Sequence, residues 1–85
     1  EEFNFKQSAK DLLITSQLRS ALIFNKGIKA TNYQIDTYKE KIYIYGIAMN
    51  EDEKKLVLDE AEEIPDVKKI VASILLVQDL RIQKD

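Results

Sequence analysis

The apolar positions fall into five runs of differing period. After a lead-in over 1–7 (EEFNFKQ), Ile14, Leu18, Ala21 and Leu22 recur at helical spacing. Ser8 with Asp11 has the S-x-x-D spacing of a helix start, and Asn25-Lys26-Gly27 supplies a stop, so the pattern predicts a helix from Ser8 to about Asn25. Residues 28–38 (IKATNYQIDTY) read as a strand with Tyr33 and Ile35 on one face. Lys39-Glu40 makes a short turn into 41–48 (KIYIYGIA), a second strand rich in β-branched and aromatic residues. Two strands this close in sequence predict a hairpin, although the turn lacks the usual Gly or Asn. Asn50 suits a helix cap, with Glu53 at the capping-box position. That helix runs to about Glu63 with Val57, Ala61 and Ile64 inward, and Pro65 stops it. Residues 67–78 form a third strand, and 79–85 a polar tail.

The order α-β-β-α-β predicts an α+β two-layer sandwich. A helix linking two strands of one sheet favours a right-handed crossover with those strands parallel. The expected sheet is therefore three-stranded and mixed, with both helices on one face. Ile42, Ile44 and Ala48, with Ile70, Ile74 and Leu76, should point towards the helices. Gly46 shares that parity, where the missing side chain is expected to let a helix approach the sheet.

Composition narrows the function classes. The chain has 85 residues, 45% apolar and 33% charged, enough for one domain without a deep catalytic cavity. Net charge is −2, which disfavours nucleic acid as a partner. Cysteine and histidine are both absent, removing thiolate chemistry and the commonest general base and metal ligand. The acidic residues Glu51, Asp52 and Glu53 fit a helix start, while Asp59, Glu60, Glu62 and Glu63 are expected to face solvent. No catalytic residue, metal site or cofactor site emerges. The chain opens at Glu1 without methionine and is read as a piece of a longer precursor.

Two surfaces remain. With Ile14, Leu18, Ala21 and Leu22 inward, Leu12 and Ile23 point roughly opposite, and Leu13 and Phe24 fall on one flank. Lys10, Arg19 and Lys26 lie nearby in sequence. Apolar groups with a few cations suit an interfacial membrane contact; cover by Phe3, Phe5 or a neighbouring domain is the alternative. On the sheet, Tyr43, Tyr45 and Ile47 with Val71, Leu75 and Val77 make an apolar face turned away from the helices. Such a face suits another domain, a twin subunit or a partner protein.

The order and spacing of "ITSQLRSALI", "KATNYQIDT", "IYIYG" and "VKKIV" over about 10–78 resemble a BON domain, of the bacterial OsmY and nodulation family. The second BON domain of the dual-BON, DolP-type periplasmic lipoproteins is the likeness nearest in pattern. The resemblance implies a non-enzymatic, cell-envelope module, periplasmic and associated with an outer membrane. Its implied partners are anionic phospholipid headgroups, another BON domain or an envelope protein. It implies the αββαβ order as well. The chain departs from the family pattern in lacking glycine at the hairpin turn (Lys39-Glu40) and at Asp66. Glycine accepts a positive φ more readily than aspartate does, so Asp66 leaves the geometry of that turn open.

Overall fold

The computed structural model describes residues 5–80. Helix α1 (Phe5–Phe24) is followed by a 3-10 turn at Ala30–Asn32, strands β1 (Tyr33–Tyr38) and β2 (Lys41–Ala48), helix α2 (Glu51–Glu62), strand β3 (Lys69–Leu76) and a second 3-10 turn at Val77–Leu80. β2 is central, antiparallel to β1 and parallel to β3. The chain is thus the α+β mixed-sheet sandwich expected, in α-β-β-α-β order.

One core joins the layers. Ile14, Leu18 and Leu22 of α1 and Val57 and Ala61 of α2 pack on Ile35, Ile42, Ile44, Ala48, Ile74 and Leu76, with Ile28 closing one end. Apart from Ile28, each residue comes from the parity or helical stripe that its element turns inward, because burying those apolar side chains is the main force assembling the layers.

Three boundaries differ from the sequence reading. α1 already runs at Phe5, so Ser8 lies inside it and does not begin it. Asp11, the other half of that pair, points away to the hairpin. Residues 28–32 are not strand. Ile28 drops into the core from a loop, and the ladder begins only where Tyr33 meets Gly46. β3 stops at Leu76, which places Val77 on the 3-10 turn and outside strand alternation. The polar tail beyond residue 80, and Phe3 of the lead-in, lie outside the described residues.

Gly46 is tight for a reason other than helix approach. A Cβ there would stand 2.5 Å from the Asn32 carbonyl oxygen and 2.5 Å from Cδ1 of Tyr33. The Tyr33 ring and the 3-10 turn that delivers it occupy the space, so the neighbour is the adjoining strand entry.

Among the described residues, three other than glycine have left-handed backbone: Lys39 (φ 52°), Glu40 (φ 66°) and Asp66 (φ 68°). Two consecutive positive φ values make the two-residue connection that matches strand twist, the geometry usually given to Asn-Gly. Asp66 adopts the conformation that glycine would accept more easily.

Candidate functional site

The outer face of α1 carries apolar side chains at both ends. Leu12 and Leu13 are 68% and 58% exposed, and Ile23 and Phe24 are 62% and 82% exposed. At about 100° per residue Leu12 aligns with Ile23, and Leu13 with Phe24, along one ridge. Exposed Ser16 and Ser20 lie between them. The two pairs are offset by eleven residues, about 16 Å of helix.

The three candidate cations have different situations. Arg19 is exposed beside the Ile23 end and, with Leu22, Ile23, Ala30, Tyr33 and Ile35, lines a small groove of about 210 Å³ between α1 and the start of β1. Lys26 is exposed just beyond the helix. Lys10 is engaged: its Nζ lies 2.7 Å from Glu40 Oε2. The hydrogen bond to Glu40 and that carboxylate's charge hold the Lys10 ammonium above its ordinary pKa. The structure therefore gathers Arg19, Ile23 and Lys26 with Phe24 at one end of α1, and ties Lys10 into a separate cluster near Leu13.

That cluster organises the hairpin turn, and the sequence reading missed it. One carboxylate of Asp11 accepts the Lys39 N–H at 2.8 Å and the Glu40 N–H at 2.9 Å, and also takes a bond from Gln7. Glu40 is buried, and its other carboxylate oxygen lies 3.1 Å from Lys68 Nζ. The Lys68 N–H donates to the Glu40 carbonyl at 2.8 Å, locking the turn to the start of β3. Lys10, then Lys68, hold the Glu40 carboxyl below its ordinary pKa against the opposing effect of burial. These groups satisfy one another and the backbone, so their role is to hold the joint. Only the absence of Asn or Gly at the turn hinted at a compensating partner.

The acidic start of α2 is structural too. The Asn50 side chain accepts the Glu53 N–H at 2.9 Å. Glu53 is buried, not exposed, and reaches back to the Met49 N–H (2.8 Å) and across to the Lys29 N–H (2.9 Å). Burial alone would raise its pKa; the Lys29 and Met49 N–H groups outweigh that and leave it lowered. Tyr33, whose hydroxyl is enclosed close by, has its pKa pushed up by burial and then by the Glu53 carboxylate. Asp59 and Glu60 are half-buried where solvent exposure was expected, and Glu60 accepts from Asn25 Nδ2 at 2.8 Å.

The outer sheet face is accessible. Tyr45, Ile47, Val71 and Leu75 are exposed there and Tyr43 is half-buried. Register places Ile47 beside Leu75, and Tyr43 beside Val71. Val77 is exposed on the following turn, past the end of the strand. Gln34, Asp36 and Ser73 share the face, so it is mixed rather than uniformly apolar. No helix among the described residues is long and apolar enough to cross a membrane.

A family model described as "BON domain" matches residues 10–78. A relative described as an uncharacterized protein in the gshII 5′ region of Anaplasma centrale is 29% identical over 76 residues. That match covers 89% of this chain and 50% of the relative, so the chain spans about half the length of the curated protein it matches.

Proposed function

This chain belongs to the BON domain family, and from that premise we propose that it is a non-enzymatic module that docks on anionic phospholipid surfaces of the cell envelope and supports envelope integrity. BON domains occur in envelope proteins, are associated with phospholipid and envelope binding, and are generally not enzymes. The observation that carries the reading is the end of α1, where Ile23 and Phe24 stand exposed between Arg19 and Lys26. Apolar side chains entering the headgroup boundary, with cations at headgroup level, make an interfacial contact. Leu12 and Leu13 extend the same ridge. Each free cation near a charged surface contributes about 1 kcal/mol. Two such groups on a chain of net charge −2 give weak, salt-sensitive binding that an anchor elsewhere in the protein would reinforce. In this reading the site is periplasmic, at the inner face of an outer membrane.

Liposome flotation tests it. Recovery should be higher on vesicles containing phosphatidylglycerol than on phosphatidylcholine, and should fall with salt, with Phe24→Asp and with Arg19→Gln combined with Lys26→Gln. Leu13→Asp should weaken it. Equal recovery on both vesicles, unmoved by these variants, overturns the reading.

A second reading rests on the exposed side chains of Tyr45, Ile47, Val71 and Leu75: a surface for another BON domain or an envelope protein. It predicts that Tyr45→Lys breaks an assembly seen by light scattering and leaves flotation intact.

A further inference from the structure

The two edges of the sheet are unlike. Along β1, Asp36 and Gln34 are exposed, and Thr37 is hydrogen-bonded to Thr15 of α1 at 2.6 Å. β3 has β2 as its one strand neighbour among the described residues and pairs with it continuously from Lys69 to Leu76. The segment 70–76 (IVASILL) contains no charge, proline or glycine. A strand edge offers unpaired N–H and C=O groups to any other strand, and proteins usually blunt it with charge, proline or a bulge. Here Lys68 and Lys69 guard only its beginning. Val71, Ala72, Ser73 and Leu75 are all exposed. Ala72 lies on the helix-side parity with Ile74, so its exposure means that no helix roofs this stretch of the edge.

We propose that β3 pairs with β3 of a second copy of this chain, antiparallel about a two-fold axis at Ser73, merging two sheets into one of six strands. The strand's own order argues for that occupant. The seven uncharged residues are centred on Ser73. In this register Ile70 faces the second copy's Leu76, Val71 faces Leu75, and the small exposed Ala72 faces the larger Ile74. Inward residues meet inward residues, so both helix layers stay on one side and the outer apolar faces become continuous. Lys69 lies past the last pair, level with the turn that begins at Val77, whereas a parallel pairing would set Lys68 and Lys69 beside their own copies, an unfavourable juxtaposition. Strand addition of this kind draws affinity from backbone hydrogen bonds and register from alternate side chains. It pairs backbone along the edge of β3, whose outward Val71, Ser73 and Leu75 also border the Tyr45 face, and is independent of lipid contact.

The 85-residue chain itself is the test material. Sedimentation velocity over a concentration series should show a monomer–dimer equilibrium. Ser73→Lys sets two cations opposite each other at the axis and should abolish the dimer, with an unchanged circular dichroism spectrum. Tyr45→Lys should leave it in place. Since the chain has no cysteine, Ser73→Cys introduces a single thiol. Mild oxidation should convert it to a covalent dimer in far higher yield than Gln34→Cys on the opposite edge strand. A native chain that stays monomeric throughout the series, a dimer that survives Ser73→Lys, or equal cross-linking of the two cysteine variants overturns the proposal.

Discussion

A single carboxylate at Glu53 receives two backbone N–H groups from different segments, Met49 at the entry to α2 and Lys29 ahead of β1. Hydrogen bonds to a charged acceptor contribute about 1.5–3 kcal/mol each, and unmaking them leaves buried donors unsatisfied. Glu53→Gln keeps the shape and loses the charge, and should cost about 1–3 kcal/mol in urea denaturation near neutral pH. The linkage has a definite sign. The folded pKa of Glu53 lies below 4.5, so its contribution is fully present above that value and is lost as pH falls through the folded pKa. Glu40, also lowered, adds to the same acid window. Unfolding curves collected from neutral to acid pH should therefore steepen below about pH 4.5, and Glu53→Gln should flatten that fall.

Asp11 and Gly46 act at the same scale. Asp11→Ala strips two acceptors from a left-handed turn and should destabilise by about 1–3 kcal/mol. Lys39→Gly at that turn, by contrast, relieves a positive φ and should leave stability within about 1 kcal/mol of the native chain. Gly46→Ala drives a methyl against the Tyr33 ring and the Asn32 carbonyl, with an expected loss of about 1–3 kcal/mol by thermal melting. Gly46→Val should lose more.

Among the elements, those with a strong internal pattern were readable. The β-branched and aromatic alternation of β2 fixed its span at 41–48, and Asn50 and Pro65 bracketed α2 to within a residue or two. The buried residues of both helices and of β2 followed from period, except that Ala21, read as inward, is half-buried and stands outside the core. What failed depended on partners distant in sequence. The loop before β1 looked extended because it runs without a break into the alternation that begins at Tyr33, but Ile28 is taken by the core and the Asn32 carbonyl rests against Gly46. Glu40 resembles a surface charge in any local window, and its lysine partners lie 30 and 28 residues away; Glu53 was readable as a capping residue, but its bond from Lys29, 24 residues earlier, was not. Of the membrane candidates, the exposure of Leu12, Leu13 and Ile23 follows from helical angle, whereas the engagement of Lys10 needed the hairpin in place. Because Leu13 and Phe24 take no part in the core, changing either to Asp should shift the melting temperature little, which separates a loss of lipid binding from a loss of fold.

For the whole molecule, two layers leave the sheet half uncovered and one helix face bare. Among the described residues most of the exposed apolar surface lies on the α1 ridge and on the outer face of the sheet, which runs out to the edge of β3. A domain of this size cannot hide all its apolar area, so exposure alone does not name a partner. Ridge, face and edge each have a discriminating substitution: Phe24→Asp, Tyr45→Lys and Ser73→Lys. If the three surfaces act independently, their effects on flotation, on hetero-assembly and on dimerisation should not cross over.

The hold of Asp11 on the Lys39-Glu40 turn also bears on how the chain folds. An Asn-Gly hairpin closes on its own turn preference, in microseconds, ahead of its surroundings. Lys-Glu offers no such preference, and its amides find their acceptor on a helix 28 residues earlier. Hairpin closure is thereby coupled to the docking of α1, a contact of high sequence separation, which makes the transition state a joint assembly of helix and hairpin. Asp11→Ala should then slow refolding in stopped-flow measurements about as much as it lowers stability, with unfolding nearly unchanged. Placing Asn-Gly at 39–40 should partly restore the refolding rate, because the turn would no longer wait for its helix.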